Sequence, residues 1–410
     1  MRYIFFSMND FSNEGGGTIR MQGVLNELSK KGHEVIFISN TQKHQLFEDK
    51  IQHIFIDFLF SRRDKRIFQG LLVILPMFLI KTKYSKLLDR LNEIFKNKFD
   101  NEPIYFFEYL DNSIGYCLKS NKSIKSYIND IHGIATSEFK FQAANALSIK
   151  EKIIFNIKYK LSYQLDKKVF NHADGFIFAS NAMKNHFSEL YPKVIEKKCY
   201  VLPNLLSSNF DKDEIDFNLK NELLNKYQIK KSEKIFFFAG GLKKTGGVPD
   251  LIAAFSKIVN QYETRLIIVG DGPNMNECLQ TVATLNLSKK VIFVGRIPYS
   301  QLRTYQDLAS IIVCPDKQND FSELIVHVKY FDSLISGKIV INGSFKSVKE
   351  INVNESLSID FKPSDIESLS SALQFAIDNF EELNSKYKNN ITYTVQNLTY
   401  SSFVSVLEIK

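Results

Sequence analysis

Short apolar runs alternate with longer amphipathic segments in the second half of the chain, and glycine or proline repeatedly follows a run. Five runs have strand character: 235–239, 265–269, 291–294, 311–314 and 338–341. Each is too apolar on both faces for a one-sided sheet, so helices should cover both sides. The segment 250–259 carries apolar residues at helical spacing. The alternation predicts an α/β fold with a doubly wound parallel sheet.

The first half of the chain repeats this alternation. Residues 3–6 predict a first strand, followed by a glycine-rich loop and a helix over 18–31, which Gly32 ends as glycine commonly does. Further strands are predicted at 33–39, 51–58, 104–107, 126–131, 176–179 and 200–202. The sequence therefore predicts two similar Rossmann-like domains.

A polar run at 207–216 separates the two sets of strands. Exposed polar stretches of this kind commonly join domains. We therefore predict an N-terminal domain over 1–205, a hinge or linker over 206–232 and a C-terminal domain over 233–385. The remaining segment, 386–410, is predicted to be helical and to pack back on the N-terminal domain.

Length and composition favour a globular protein with an anionic partner. The 410 residues suffice for two or three cores, and 44% of them are hydrophobic. The 53 basic and 45 acidic residues give a net charge of +8, which favours anionic partners without separating phosphate, nucleic acid and lipid. Cys117, Cys199, Cys278 and Cys314 are far apart in sequence, which favours reduced thiols and gives no metal-binding motif.

No run reaches the ~20 apolar residues of a membrane-spanning helix, and the apolar start of the chain is too short for a signal peptide. A cytoplasmic protein is expected. The segment 68–80 is apolar around Pro76 and is flanked by arginines and lysines at 62–66 and 81–83. Such a run suits contact with the anionic face of a membrane, and a buried helix with solvated ends fits it equally well.

Two places in the first half carry candidate chemistry. Gly15, Gly16 and Gly17 lie between a strand and a helix, where bare backbone and helix N–H groups can contact a phosphate or a sugar; a structural turn is the alternative. The loop has neither the full dinucleotide fingerprint nor the lysine of a P-loop. His132 ends a predicted strand, where parallel sheets place their ligands. Its imidazole can contact a sugar hydroxyl or stabilise charge, or it can cap a turn.

In the second half, the loop after the strand at 235–239 contains Gly240, Gly241, Lys243 and Lys244. Main-chain amides, a helix N-terminus and ammonium groups together suit a diphosphate. The alternative is that both lysines are only solvated.

The next two strands end in loops at 270–273 and 295–298, which place Gly272 and Arg296 at the same edge of the sheet and suit contacts to a base or ribose. Lys329 and Asp332 are three apart on a predicted helix and therefore share one face. The aspartate can accept both ribose hydroxyls, and the lysine can reach a phosphate. The alternative is a surface ion pair of little energetic value.

This ordered set of motifs resembles the large retaining glycosyltransferase family that uses nucleotide sugars and has two facing Rossmann-like domains, the GT-B fold, often called family 4. Residues 15–17 match its first glycine-rich loop, and His132 matches a histidine that ends a middle strand. The segments 173–180, 201–204, 270–273 and 336–340 are also similar to family segments. The likeness covers nearly the whole chain.

The sequence departs from the family pattern around the donor diphosphate. The arginine and lysine that grip the diphosphate in the family align with Gly241 and Gly246, and the first of its two paired glutamates aligns with Leu324. Asp332 replaces the second glutamate. The run 327–332 is closer to a divergent branch with a proline-x-lysine-x-x-glutamate pattern, although His327 replaces the proline.

Relocated lysines are therefore expected to supply the missing charge, since an ammonium on a flexible stem need not occupy one fixed position. The candidate catalytic residues are therefore His132, from the resemblance, and Lys329, from this compensation. The candidate donor-binding residues are Gly16, Gly17, Gly240, Gly241, Lys243, Lys244, Gly272, Arg296 and Asp332.

The function implied by the resemblance is transfer of a sugar from a UDP- or GDP-linked donor to a lipid-linked or oligosaccharide acceptor, in building a bacterial capsule or lipopolysaccharide. No metal, other cofactor or nucleic acid is expected. The missing diphosphate residues also fit a catalytically silent GT-B scaffold in a polysaccharide assembly complex. A third alternative is a GT-B sugar epimerase, which would act on a nucleotide sugar with no acceptor present.

Overall fold

The chain divides into two compact units. Unit 1 comprises Met1–Asn204 together with Phe403–Lys410, and unit 2 comprises Leu205–Ser402. The computed structural model describes residues 1–8, 16–41, 47–58, 61–95, 99, 102–107, 109–146, 148–206 and 215–408.

Unit 1 is built, within these ranges, on a seven-stranded parallel sheet. Its strands are β1 (Arg2–Ser7), β2 (Glu34–Ser39), β3 (Gln52–Phe55), β4 (Ile104–Phe106), β5 (Tyr127–Ile131), β6 (Gly175–Phe178) and β7 (Lys198–Val201). The spatial order is β3-β2-β1-β4-β5-β6-β7, so the direction of winding reverses between β1 and β4.

Helices surround this sheet. They are α1 (Gly16–Lys30), α2 (Arg62–Ile74), α3 (Met77–Lys83), α4 (Ser85–Phe95), α5 (Tyr109–Ser120), α6 (Ala135–Ala144), α7 (Ile149–His172) and α8 (Asn181–Leu190). Serine side chains cap three of them: Ser61, Ser148 and Ser180 accept hydrogen bonds from amides in the first turns of α2, α7 and α8.

Unit 2 contains, among its described residues, a six-stranded parallel sheet. Its strands are β8 (Lys234–Ala239), β9 (Thr264–Val269), β10 (Val291–Gly295), β11 (Ile311–Cys314), β12 (Ile339–Gly343) and β13 (Ile359–Phe361). The order β10-β9-β8-β11-β12-β13 is that of a Rossmann sheet, and winding reverses between β8 and β11. The predicted pair of doubly wound parallel α/β domains is confirmed.

Helices also pack around the sheet of unit 2. They are α9 (Phe217–Lys226), α10 (Val248–Ile258), α11 (Met275–Thr284), α12 (Leu302–Asp307), α13 (Val328–Leu334), α14 (Lys346–Lys349), α15 (Ile366–Asp378), α16 (Phe380–Tyr387), α17 (Asn390–Asn397) and α18 (Tyr400–Phe403). The segment 206–232 thus includes α9. The chain returns to unit 1 at Phe403, which is also the last residue of α18.

Strand β8 lies inside the sheet of unit 2, and both of its faces are apolar. Phe236 and Phe238 belong to the same core cluster as Phe255 of α10, and the rings of Phe236 and Phe255 lie 5.8 Å apart. The alternate residues Ile235 and Phe237 face the other side and are equally buried. Helices therefore cover both faces, as the two-sided apolar pattern predicts.

Three local features differ from the sequence-based expectations. The apolar segment 68–80 is two helices, α2 and α3, because Pro76 stands at the N-cap of α3. The short strand β13, which pairs with β12, was not predicted. Gly15 lies outside the described residues, and Gly16 and Gly17 form the first turn of α1.

The last residues of the chain are held against unit 1. The hydroxyl of Tyr3 donates to the carbonyl of Leu407 at 3.2 Å, and His33 Nε2 lies 2.6 Å from Glu408 Oε1. Across the described parts of the chain, none of the helices has the length and apolar character needed to cross a membrane.

Candidate functional site

Unit 1 has a buried ion pair near its point of reversal. Arg20 of α1 donates from Nε and Nη2 to the two oxygens of Asp130, each at 2.8 Å. Its Nη1 donates to the carbonyls of Leu202 and Pro203 at 2.7 and 2.9 Å. Burial by itself raises the pKa of Asp130, but Arg20 and His132 outweigh that effect and hold it below its usual value. Asp130 is therefore a carboxylate at the end of β5.

His132 follows β5 and lines a cavity of about 230 Å³ in unit 1. Its Nδ1 lies 3.7 Å from Asp130 Oδ1, and its side chain is 12% exposed. Tyr109 of α5, Glu138 of α6 and Phe170 of α7 also line the cavity. A histidine at a strand end beside a fixed carboxylate can contact a hydroxylated ligand within this cavity.

Asp166 of α7 contributes a second buried carboxyl group to the same cavity. It accepts a hydrogen bond from the hydroxyl of Thr136 in α6. Burial raises its pKa to about 7, although the Thr136 and Tyr109 hydroxyls oppose this shift. The cavity therefore holds a group that gains or loses a proton near neutral pH.

The glycines expected to contact the donor in unit 1 begin α1. Gly16 is exposed and Gly17 is half-buried. The amides of a first helical turn have no partner within their own helix, so these two positions offer N–H donors. The loop that precedes them lies outside the described residues.

In unit 2, glycines allow the loops at the carboxyl ends of three strands to touch. Gly270, after β9, has φ of +128°, and a Cβ there would lie 1.9 Å from the carbonyl oxygen of Gly240, after β8. Gly247 has φ of +65°, and its Cβ would lie 1.8 Å from the carbonyl oxygen of Pro315, after β11. A Cβ on Gly272 would lie 2.4 Å from the Leu242 carbonyl oxygen. These contacts fix the backbone edge that a ligand would meet.

Lys329 lies against this edge. Its Nζ forms an ion pair with Asp316 at 2.7 Å, and its stem passes beside Gly240. Its side chain is 21% exposed, and that of Asp316 is 8% exposed. Lys243 and Lys244 are both exposed on the loop after β8. The structure thus places Lys329 at the point where the winding of the sheet reverses, with Lys243 on an adjoining loop.

His327 lies close enough to Lys329 and Lys243 for their charges to affect its pKa. Burial lowers its pKa, and so do the nearby charges of Lys329 and Lys243, whereas Asp316 acts in the opposite direction. The neutral imidazole favoured by this pKa can accept or donate a hydrogen bond without adding positive charge.

Asp332 does not pair with Lys329, although the two share a helix. It is 5% exposed and accepts a hydrogen bond from the hydroxyl of Tyr299 at 2.9 Å. Burial raises its pKa to about 7, and the Tyr299 hydrogen bond only partly offsets this. The alternative interpretation of a surface ion pair between Lys329 and Asp332 is therefore wrong.

Arg296 extends from the loop after β10, with its side chain 79% exposed and its Nε 3.6 Å from Asp271 Oδ2. The Asp271 carboxylate also accepts the amide of Gly272 at 2.7 Å. A pair this exposed adds little to stability. Arg296 and the loop of Gly272 are therefore accessible for ligand contacts.

Five residues of these two regions are not among the predicted site residues: Arg20, Asp130, Asp166, Asp316 and Tyr299. A usable pattern existed for Asp130 and Asp316, because each lies at or just after the carboxyl end of an apolar strand. Within the described ranges, no group of three histidine, cysteine, aspartate or glutamate side chains is arranged to hold a metal ion.

Residues 220–393 match the family model described as Glycosyl transferases group 1. Over 75 residues, the chain is 37% identical to N-acetyl-alpha-D-glucosaminyl L-malate synthase of Bacillus anthracis, an alignment that spans 18% of this chain and 20% of that protein. It is 23% identical over 348 residues to alpha-monoglucosyldiacylglycerol synthase of Streptococcus pneumoniae, which spans 83% of this chain and 70% of that protein. The first of these alignments thus covers only a fifth of its relative.

Solved structures resemble the whole chain at low identity. Sucrose-phosphate synthase from Thermosynechococcus elongatus superposes with a TM-score of 0.74 and 15% identity, covering 99% of this chain and 97% of that one. HepE of Anabaena, in complex with UDP-glucose, gives 0.70 and 12%, covering 100% and 98%. WaaG, a glycosyltransferase involved in lipopolysaccharide biosynthesis, gives 0.66 and 12%, covering 100% of each chain. Residues 220–393 therefore match the glycosyl transferases group 1 family, and the two units have the fold of GT-B glycosyltransferases.

Proposed function

We propose that this protein is a retaining family 4 glycosyltransferase. It moves a sugar from a nucleoside diphosphate donor to a hydroxyl group of a growing, lipid-linked bacterial surface polysaccharide, either a capsule or a lipopolysaccharide. The group 1 domain supports glycosyl transfer. The UDP-glucose bound to HepE supports the class of donor, and the glycolipid product in the name of the Streptococcus pneumoniae relative supports a lipid-linked acceptor.

The observation that carries this proposal is the position of Lys329 beside Gly240, where the winding of the unit 2 sheet reverses. Parallel sheets of this kind bind ligands outside the carboxyl ends of their strands at such a point. As the glycosidic bond of a donor breaks, negative charge grows on the departing diphosphate. A fixed ammonium group stabilises that charge more in the transition state than in the ground state.

Lys329 is held in place by Asp316, whereas Lys243 and Lys244 are exposed on their loop. We assign the diphosphate to these three lysines and to the amides around Gly240 and Gly241. We assign the ribose to Asp332. Its carboxyl group would accept the ribose hydroxyls either in place of the Tyr299 hydroxyl or in addition to it. Gly272 and Arg296 would contact the base or ribose. Gly16 and Gly17 would contact donor phosphate or sugar, and His132 would contact the transferred sugar.

The test is turnover of Lys329→Met in an Asp316→Asn background. Without Asp316→Asn, the Asp316 carboxylate would be left buried without its ammonium partner, and the resulting instability could be mistaken for loss of function. Turnover is measured with radiolabelled UDP- and GDP-sugars and a membrane extract as acceptor. We expect kcat/KM to fall by about 100-fold or more relative to Asp316→Asn alone, as for other electrostatic groups that act on a transition state.

Lys338 provides a matched control, because it is a half-buried lysine in the same unit that pairs with Asp307 at 3.3 Å. It precedes β12 and so lies at the amino edge of the sheet. Lys338→Met should leave kcat/KM within about twofold, since its charge is remote from the proposed site. Equal kinetics for the Lys329 and Lys338 variants would remove Lys329 from the diphosphate site.

A thermal-shift series with UDP, GDP and their sugars tests the wider proposal, because a ligand that binds the native state raises its apparent stability. Stabilisation by a nucleotide and formation of a labelled product support glycosyl transfer. Absence of stabilisation by every nucleotide would favour the catalytically silent scaffold. Conversion of a nucleotide sugar with no acceptor present would favour the epimerase.

A further inference from the structure

The first half of α7 carries isoleucines that the protein core does not use. Every residue of α7 lies within the described ranges, and none of 149–160 is buried, whereas Leu165, Val169 and Phe170 of the same helix are. Ile149 is 81% exposed, Ile153 54%, Ile154 41% and Ile157 53%. Isoleucine is among the residue types most often buried, so four exposed in one half-helix require an explanation.

The spacing of these residues shows that they lie away from the core. Phe155 and Tyr159 are half-buried and share a face with the buried Ser162 and Asp166, at helical intervals of four, three and four residues. Residues 149, 153 and 157 form a different row, at intervals of four. The isoleucine row therefore lies outside the face by which α7 packs on unit 1.

Helix α2 extends this apolar row. A Cβ on Gly70 would lie 3.8 Å from Cδ1 of Leu161, so α2 and α7 touch at this point. Ile67 and Ile74 lie one turn to either side of Gly70 and are 38% and 67% exposed. Ile157 lies one turn before Leu161. The isoleucine patch is the surface formed by Ile67, Ile74, Ile149, Ile153, Ile154 and Ile157.

Basic residues flank the isoleucine patch along both helices. The segments 61–83 and 149–168 together contain twelve basic and three acidic residues. Lys158 stands over the ring of Phe155, 4.6 Å from its centroid. Burial lowers the pKa of Lys158, and the neighbouring charge of Arg66 lowers it further, so the two helices bring like charges together. An anionic surface would relieve this repulsion.

We infer that the isoleucine patch and its surrounding cations dock on the surface of an anionic lipid bilayer. Exposed apolar side chains interleaved with lysine and arginine are typical of segments that lie in the membrane interface. A second copy of this chain is the less suitable occupant, because a symmetric contact through the patch would place two basic surfaces against each other.

This docking surface would bring the cavity of His132 near the membrane. The same helix carries both features, since Asp166 is nine residues beyond Ile157, which corresponds to about 13 Å of helix rise. Access of a lipid-linked acceptor to the cavity rests on the proposed function. The docking itself does not, and it is measured without any turnover.

The experiment is co-sedimentation of the full chain with vesicles of phosphatidylcholine and with vesicles that also contain phosphatidylglycerol. The wild type should bind only the anionic vesicles, and added salt should release it because screening weakens surface attraction. Ile153→Ser with Ile157→Ser should lower the partition coefficient by about tenfold or more, and so should Lys150→Glu with Lys152→Glu.

Matched controls are available on the same unit. Leu190 and Ile195 are 46% and 72% exposed, so Leu190→Ser with Ile195→Ser removes comparable apolar surface elsewhere. Lys193→Glu with Lys198→Glu makes the same change of charge at exposed lysines. Both control pairs should bind as the wild type does. Circular dichroism checks that every variant remains folded.

Three outcomes would overturn the inference. The first is equal binding by patch and control variants, and the second is equal binding of the wild type to neutral and anionic vesicles. The third is a dimer in lipid-free sedimentation equilibrium that the isoleucine changes dissociate, which would assign the patch to a second copy of this chain. Normal turnover on a water-soluble acceptor alongside any of these three outcomes would leave the proposed function intact.

Discussion

Arg20 and Asp130 form a bidentate ion pair whose side chains are 0% and 1% exposed, although 110 positions separate them in the chain. The pair joins α1 to the end of β5. Because Arg20 also donates to the Leu202 and Pro203 carbonyls, one guanidinium connects the first helix of unit 1 to the last residues before unit 2 begins. His132 lies two residues beyond Asp130, so the same ion pair also fixes the segment that carries His132.

Arg20→Met should destabilise unit 1 by about 3–5 kcal/mol, because it leaves the Asp130 carboxylate buried without its main partner. Adding Asp130→Asn should restore part of that loss, since the residual group is then neutral. Urea unfolding followed by circular dichroism gives the free energies, and a double-mutant cycle gives the coupling. Arg90→Met is the control, because the pair of Arg90 and Glu93 is 55% and 69% exposed and is expected to contribute less than about 1 kcal/mol. Equal losses for Arg20→Met and Arg90→Met would contradict the assignment.

Gly270→Ala should weaken both stability and nucleotide binding, because its new Cβ would lie 1.9 Å from the Gly240 carbonyl oxygen. Gly295→Ala is a close comparison, since Gly295 also has positive φ, +83°, but has no atom within 4 Å of the Cβ position. Both variants incur the left-handed backbone cost of about 1–2 kcal/mol. Gly270→Ala should cost roughly 1–3 kcal/mol more by overpacking.

Thermal unfolding measures the stability of the two glycine variants, and calorimetric titration with UDP and GDP measures their binding. Weaker nucleotide binding by Gly270→Ala alone would place the β8 and β9 loops at the donor. Indistinguishable unfolding of the two variants would show that the Gly240 and Gly270 loops separate at little cost.

The sheets could be predicted because parallel strands covered on both faces leave continuous apolar runs. The run 235–239 corresponds to β8 (Lys234–Ala239), and 265–269 corresponds to β9 (Thr264–Val269). Strand β4 (Ile104–Phe106) is a continuous apolar run and was predicted, whereas Asp360 interrupts the equally short β13 (Ile359–Phe361), which was missed. The segment 68–80 was ambiguous because its apolar residues divide between buried Phe68 and exposed Phe78.

The candidate site could be predicted only in part. Glycine-rich strand ends and His132 follow from the rule that parallel sheets bind ligands at one edge. The pairing of Lys329 with Asp316 could not be predicted, because the two residues lie on different elements that only the folded sheet brings together. Helical spacing correctly placed Lys329 and Asp332 on one helix, but it could not show that Tyr299 contacts Asp332.

Asp166 should make the stability of unit 1 depend on pH. Its pKa is about 7 in the folded protein, raised by burial, and about 3.9 in an unfolded chain. The folded state therefore binds the proton more tightly. The stabilisation is fully present below about pH 4 and is lost as pH rises through about 7.

Asp332 has a folded pKa that is also about 7, so the wild type alone cannot show which carboxyl group is responsible. The difference between wild type and Asp166→Asn isolates one group, because the amide does not titrate. From about pH 4 to 7, the wild type should lose up to about 1.4 kcal/mol per pH unit relative to the variant, and the difference should be constant above that range. Urea unfolding at pH values from 4 to 8 measures this difference in the free energy of unfolding.

Asp57→Asn, at an exposed position in unit 1, is the control. Parallel stability curves for the wild type and Asp166→Asn would mean that Asp166 titrates normally and that water enters the His132 cavity freely enough to solvate its charge.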